Sequence, residues 1–298
     1  MSYVEKSRSI SEINARTVSV VVPNYNYSRY MRSRLKSIAD QTYPIKEVVV
    51  LDDASTDGSV EHITALFEEI KGNYSLVAND KNSGLVFKQW IAGVARVSGE
   101  FVWIAEADDQ ADSAQVAKLV ELAINDPDVA LTYCDSKSVD ENGSLLKGSY
   151  SEYYTSATGD LLAATGIHSG PEFVVAFLSC KNTILNVSSV LWRRKALLDA
   201  LERSAEDLNR LRVAGDWRVY IECLLTPGSK LGYVAESLNV HRRHSSSVTH
   251  KISARRHLGE VAYVHTLIRN KLGSYPAMRK AQDAYLFDLA KQLGFGRS

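Results

Sequence analysis

Two apolar runs, Val48 to Leu51 and Phe101 to Ala105, each end in a cluster of carboxylates. The first leads into Asp52-Asp53-Ala54-Ser55-Thr56-Asp57-Gly58 and the second into Glu106-Ala107-Asp108-Asp109. An unpaired charge is expensive to bury, so such clusters are poor core material. In an open α/β sheet, however, the carboxyl ends of strands are where ligands bind. Two clusters of this kind in one half of a chain point to a site for a nucleotide and a divalent cation.

The surrounding pattern supports that sheet. Val18 to Val22 is a β-branched run stopped by Pro23, and Glu47 to Leu51, Tyr74 to Ala78, Phe101 to Ala105 and Val129 to Cys134 read as further strands. Helical stretches lie between them: Ser28 to Asp40, Asp57 (as N-cap) to Ile70, Leu85 to Val97 and Ser113 to Asn125. Regular alternation through residue 134 calls for a mostly parallel, Rossmann-like α/β sheet flanked by helices. Beyond it, Asp140 to Gly143 is a turn, and residues 148 to 170, rich in Gly, Ser, Thr and Tyr, read as an irregular lid or acceptor-binding loop. Lys195 to Leu211 and Trp217 to Leu225 are expected helices, Val190 to Trp192 a strand, and Leu231 to Ala235 and Leu238 to His241 two short strands. From Ala254 the pattern is helical, broken at Gly273 to Pro276.

Bulk properties narrow the function. A formal net charge of zero gives no basis for nucleic-acid binding. Cys134, Cys180 and Cys223 are odd in number and lack metal-ligand spacing, so they read as reduced thiols of a cytoplasmic protein. No apolar stretch approaches the roughly 20 residues of a membrane span. From Lys251 onward Lys and Arg outnumber Asp and Glu, which suits a solvated helix face or a peripheral contact with an anionic membrane or a synthase partner. Neither GxGxxG, GxxxxGK[ST], GxSxG nor HExxH occurs where it would carry chemistry.

The first strand ends instead in Pro23-Asn24-Tyr25-Asn26, where a rigid proline and an aromatic can form a wall for a nucleobase. Asp53 nearby can accept the imide hydrogen of uracil or thymine. Mg²⁺ and Mn²⁺ prefer carboxylate oxygens and bind phosphates, so Glu106-Ala107-Asp108-Asp109 suits a metal–diphosphate group.

At this point the chain resembles a family. The runs VSVVVPNYN, VVVLDDASTDGS, NDKNSG and WIAEADD, then Gly215-Asp216-Trp217 and His241 to Thr249, are similar in kind and order to the inverting family 2 glycosyltransferases of the GT-A fold. The resemblance covers roughly residues 17 to 250. It implies a GT-A domain over 17–250, with a nucleotide-binding half at 17–135 and an acceptor and catalytic half at 136–250. A 1–16 extension precedes it and a helical 251–298 extension follows, with room for a further module beyond. The resemblance further implies base contacts from Pro23, Tyr25 and Asp53, and base or ribose contacts from Asn82 and Gly84. Asp108 and Asp109 match the metal and ribose carboxylates, with Asp109 the expected direct ligand. Arg242, Arg243 and His244 would close over the diphosphate, His244 also as a candidate metal ligand. Asp216 stands in the place of the catalytic base. The family often has Glu-Asp there; Gly215 replaces the Glu. Asn186 and Trp217 are expected on the acceptor side.

The implied reaction is a metal-dependent (Mn²⁺ or Mg²⁺) in-line transfer of a sugar from a uridine or thymidine diphosphate sugar. The acceptor would be a glycan or lipid-linked glycan of a surface polysaccharide, on the cytoplasmic face of the membrane. Two rivals stand beside it. A sugar nucleotidyltransferase would carry a Gly-rich basic loop after the first strand, where this chain has Pro23 to Asn26. A non-catalytic sugar-nucleotide-binding scaffold would have no use for acids at both Asp109 and Asp216.

Overall fold

The structure is a computed structural model that describes residues 16–244 and 252–295. The expected N-terminal extension, Arg16 apart, and the Ser245 to Thr249 part of the last motif lie outside the described residues.

The first half keeps to the expected alternation: β1 (Val18–Asn24), α1 (Ser28–Ala39), β2 (Ile45–Asp52), α2 (Ser59–Glu69), β3 (Tyr74–Ala78), α3 (Val86–Arg96) and β4 (Phe101–Ile104). A short β5 (Gln110–Ala111), α4 (Gln115–Ile124) and β6 (Val129–Val139) come next. Beyond them lie β7 (Leu145–Lys147), α5 (Ser151–Thr158), β8 (Gly166–Ser169), the short α6 (Gly170–Phe173), β9 (Val190–Arg193), α7 (Arg194–Leu208) and α8 (Gly215–Leu224). The described chain closes with β10 (Lys230–Arg242), α9 (Ala254–Leu272) and α10 (Pro276–Gln292).

All strands belong to one sheet with the order β3-β2-β1-β4-β9-β6-β10-β5, to which β7 adds beside β6 and β8 beside β10. The long strands β1, β2, β3, β4, β6 and β10 run the same way, and β9 enters antiparallel between β4 and β6. Its reversal matters: the start of β9 lies at the same sheet edge as the carboxyl ends of β4 and β6. Period-two burial divides each central strand between two cores. Val18, Val20 and Val22 face α1, α2 and α4, whereas Val21, with Val49 and Leu51 of β2, faces α3 and the C-terminal helices.

Three expectations change. Residues 148–170 are structured, because Tyr154 and Leu162 are buried and the Tyr154 ring packs edge-on against Tyr133 and Tyr233. The two short strands from Leu231 to His241 are one strand, whose register shifts between Val234 and Asn239 disguised it in the sequence. The N-cap of α2 is Gly58 in the left-handed region rather than Asp57, whose carboxylate still accepts from Ser59 N at 3.1 Å. The C-terminal helices do form, and Val261, Val264, Ile268 and Leu289 enter the core of the sheet domain.

Helix α3 sits on the sheet through Gly93. A Cβ there would stand 2.4 Å from Val21 Cγ1 and 2.8 Å from Leu51 Cδ1. Gly93→Ala is therefore expected to destabilise the fold by about 1–3 kcal/mol, overriding the gain of about 1 kcal/mol in helix propensity. Urea unfolding measures this, and an unchanged or higher midpoint would show that α3 can shift without loss.

Candidate active site

The ends of β1 and β2 are cross-braced by short side chains. Asn24 Nδ2 donates to Asp52 at 2.6 Å, and Asp52 also accepts from Ser55 N at 2.8 Å. Asn26 N donates to Ser55 Oγ at 2.9 Å, and Asn26 Oδ1 accepts from Thr56 N at 2.8 Å. Asn26 and Ala54 hold positive φ values of 58° and 61°, uncommon for residues with a Cβ, to make the two turns meet. Pro23 is buried beyond the last β1 residue paired with β4, so its missing N–H breaks no bond on that side. Tyr25, between the two asparagines, is 45% exposed and free to stack on a ring.

Asp53 is buried and gathers the loop after β3. Its carboxylate accepts from Asn79 Nδ2 at 2.8 Å, Ser83 Oγ at 2.8 Å, Ser83 N at 3.0 Å and Gln89 Nε2 at 2.8 Å. Asn82 in that loop accepts from Gly84 N, and Gly84 takes the φ of +67° that the turn demands. Pro23, Tyr25, Asp53, Asn82 and Gly84 thus meet at one corner. In this state Asp53 shapes the corner as much as it faces it.

The loop after β4 has three different acids. Asp109 is buried, and both its oxygens are taken: one accepts Arg242 N at 2.9 Å, the other Asn186 Nδ2 at 2.9 Å and Ser188 Oγ at 2.7 Å. This corrects the expectation that Asp109 is the direct metal ligand, since a carboxylate spent on three internal donors has little left for a cation. Asp108 is more open, and its Oδ2 lies 2.7 Å from His244 Nε2. The His244 ring stands among Tyr27 and Tyr30, at centroid distances of 5.6 and 5.9 Å. Glu106 accepts from Trp90 Nε1 at 3.3 Å, and burial, with Asp108 and Asp109 adding repulsion, pushes its carboxyl up to about 8.

Two buried arginines hold this loop. Arg34 of α1 donates through Nε to Glu106 O at 2.8 Å and lies over the Trp103 ring; burial lowers it to about 10. Arg242 donates to Asp108 O at 2.8 Å and Asp140 O at 2.9 Å and lies over the Tyr30 ring. Arg242, expected on the diphosphate, is therefore a clamp for the loop. Arg243, next along, has an exposed side chain, and its backbone N–H donates to Val139 O at 2.8 Å.

Asp216 lies in the first turn of α8. Its Oδ1 accepts from Trp217 N at 2.7 Å and its Oδ2 from Asn182 Nδ2 at 3.2 Å, and burial pushes the carboxyl up to about 6. The Tyr220 phenol, one turn on, is fully buried, and that burial, with the Asp216 and Glu106 carboxylates adding to it, raises its affinity for its proton. Gly215 has a plain packing reason: a Cβ there would meet the Phe87 ring at 2.3 Å. Trp217, expected on the acceptor side, is instead core, buried with its indole donating to Leu178 O at 2.9 Å. Asn186 likewise belongs to the Asp109 network and is buried. Sequence reading missed Arg34 and Asn182. A mid-helix arginine carries no signal of burial, and an asparagine in a polar stretch reads as a turn residue.

Among the described residues no three His, Cys, Asp or Glu side chains converge as a metal cage. A two-donor site is still sufficient, because Mg²⁺-type cations keep several waters and take one or two protein ligands together with substrate phosphates. The paired carboxylate and imidazole of Asp108 and His244 fit that chemistry.

The glycosyl transferase family 2 model matches residues 19–177. YibD of Escherichia coli K12, described as an uncharacterized glycosyltransferase, is 24% identical over 233 residues, covering 78% of this chain and 63% of that protein. TuaG of Bacillus subtilis 168, a putative teichuronic acid biosynthesis glycosyltransferase, is 32% identical over 104 residues, 35% of this chain and 40% of its own. The chain spans about a third to two thirds of the length of the curated relatives it matches. Among solved structures, Staphylococcus aureus TarS 1–349 in complex with UDP superposes with a TM-score of 0.64 at 18% identity, covering 94% of this chain and 73% of that one. The mannosyltransferase PcManGT of Pyrobaculum calidifontis, in complex with GDP-Man and Mn²⁺, gives 0.52 at 17% identity, covering 94% and 88%.

The two aspartates are expected to separate on mutation. Asp109→Ala leaves Arg242 N, Asn186 and Ser188 without an acceptor and should destabilise the protein by about 3 kcal/mol or more. Asp108→Ala should cost about 1 kcal/mol while removing Mn²⁺-dependent ligand stabilisation. Urea unfolding and Mn²⁺ titration read the two effects, and the reverse ranking would restore Asp109 as the ligand.

Proposed function

The chain belongs to glycosyl transferase family 2, and from that premise we propose a metal-dependent, inverting transfer with Asp216 as the catalytic base. The observation that carries this reading is Asp216 itself: a carboxyl held by Asn182 and its own helix N-terminus, and raised to about 6 by burial. A base with that affinity is ionised near neutrality yet still takes a proton readily. It would accept the acceptor hydroxyl's proton as that oxygen attacks the anomeric carbon, and the C–O bond to the diphosphate would break on the opposite face. Asp108 and His244 would hold the divalent cation, whose part is to neutralise the departing diphosphate. Arg243 would add a donor to the same phosphates.

The donor is read as a uridine or thymidine diphosphate sugar. The corner of Pro23 and exposed Tyr25, shaped by the bonds of Asp53 to Asn79, Ser83 and Gln89, suits a flat pyrimidine ring, and TarS was solved with UDP. The acceptor is read as a glycan or lipid-linked glycan of a surface polysaccharide, in line with TuaG's assignment to teichuronic acid synthesis. Among the described residues no helix is long and apolar enough to cross a membrane. We place the reaction at the cytoplasmic face, with 17–250 as the catalytic unit and the basic C-terminal helices as its peripheral contact.

Two measurements test this. A thermal-shift screen of nucleoside diphosphates and nucleotide sugars should show stabilisation by a uridine or thymidine ligand only with Mn²⁺ or Mg²⁺; at about 100 times its Kd such a ligand adds roughly 2.7 kcal/mol. Equal response to every nucleotide without metal would sink the donor reading. With the selected donor, turnover should rise with pH through a limb near 6, because the ionised form of Asp216 is the active one, and should lose its tenfold-per-unit slope above it. Asp216→Asn should cut turnover about a hundredfold or more without weakening donor binding. Near-normal turnover in that variant would move the base elsewhere.

A further inference from the structure

Asp216 has a single side-chain hydrogen-bond donor among the described residues, Asn182, whose Nδ2 lies 3.2 Å from Oδ2. Asn182 is fixed in turn. Its Oδ1 accepts from Ile184 N at 3.1 Å, and its carbonyl accepts from the Tyr153 hydroxyl at 3.0 Å. The chain enters this loop from a π-turn over Val174–Leu178, with Ser179 N bonded to Val174 O at 2.7 Å; such wide turns redirect the backbone and recur at functional sites.

The loop is also gripped from the far end of the chain. Gln282 of α10, fully buried, donates to Ser179 O at 2.8 Å. His265 of α9, also fully buried, lies 2.6 Å from Cys180 O. Trp217 of α8 donates to Leu178 O at 2.9 Å, so the helix that carries Asp216 holds the same strap. Three consecutive carbonyls, at 178, 179 and 180, are thus occupied by three buried side chains from three helices. Burying Gln282 and His265 is favourable only if those bonds persist.

We propose that Asn182 is the positioning residue of the catalytic base, and that α9 and α10 hold it in place by clamping the 178–182 strap. This rests on the reading of Asp216 as the base. With Oδ2 held by the Asn182 amide and Oδ1 by Trp217 N, the carboxylate is fixed in orientation, and the amide N–H favours its charged form. The arrangement also replaces what Gly215 removes. Where a second acid would stand beside Asp216, Phe87 fills the space, and Asn182 supplies a neutral polar neighbour instead. The Tyr220 phenol on α8 feels the Asp216 carboxylate, and Lys181, next to Asn182, is turned onto the Tyr153 ring at 4.4 Å.

The test tracks the Asp216 carboxyl carbon by ¹³C NMR in protein labelled at aspartate, its signal identified by its loss in Asp216→Asn. In Asn182→Ala the titration midpoint should move up by about one unit, and in Gln282→Ala by a smaller amount in the same direction. UDP release, measured with the UDP-sugar that stabilises the protein most, should fall about tenfold at pH 6.5 in Asn182→Ala with KM for that donor unchanged. Asn182→Asp keeps the acceptor for Ile184 N and the shape of the side chain, so it guards against a folding defect. It should raise the kinetic limb further than Asn182→Ala does. A midpoint and limb that stay at the wild-type position in both Asn182 variants overturn the inference alone. Normal UDP release in Asp216→Asn overturns the base assignment, and the positioning role with it.

Discussion

The buried carboxylate of Asp109 is the interaction on which the site depends. It accepts from Arg242 at the end of β10 and from Asn186 and Ser188 in the turn before β9, while its own backbone lies in the turn between β4 and β5. Those segments come from distant parts of the sequence, and their bonds converge on two oxygen atoms. A charged acceptor with three donors in a dry interior is a strong constraint, because losing any partner exposes an unmet polar group. The consequence is a fixed backbone for residues 106 to 109, which leaves Asp108 aimed outward with His244 at its side.

The second wall of the site is built on a different principle. Asp216 is held by one side-chain amide and one backbone N–H, so its position depends on the strap that carries Asn182. That strap depends on α8, α9 and α10, whose apolar faces join the core of the sheet through Val261, Val264, Ile268 and Leu289. Proton transfer is sensitive to small displacements of the base. Under the proposed base assignment the C-terminal helices are therefore tied to the chemistry through carbonyl groups, although none of the side chains proposed for donor or metal lies on them.

Much of this was legible in the sequence where local patterns decide the outcome. The β-branched runs, the acids beyond them and the order of the motifs pointed to the sheet and the family, and Pro23, Tyr25, Asp53, Asn82 and Gly84 do meet at one corner. The errors share a cause. Asp109 and Arg242 read as ligand-binding groups because charge is visible in a sequence, while its internal partners are not. Trp217 and Asn186 sit beside or within site motifs, yet they point into the core. Adjacent positions on a helix or turn face different ways, and only tertiary packing says which way each goes. Strand β10 read as two pieces because its bulge interrupts the period-two pattern that marks a strand.

The balance of charge around the acidic loop links the two walls to the proposed chemistry. Arg34 and Arg242 donate to the Glu106 and Asp108 carbonyls, and burial pushes the Glu106 carboxyl up to about 8. The acids of the loop are therefore accompanied by two buried guanidinium groups. A divalent cation held only by Asp108 and His244 would find weak attraction in such a site, whereas a cation already bound to a diphosphate brings its own counter-charge and most of its ligands. In the proposed reaction the metal and the nucleotide would therefore enter as one unit. The protein would contribute the Asp108 edge, and Asp216 would be the group that takes the acceptor's proton.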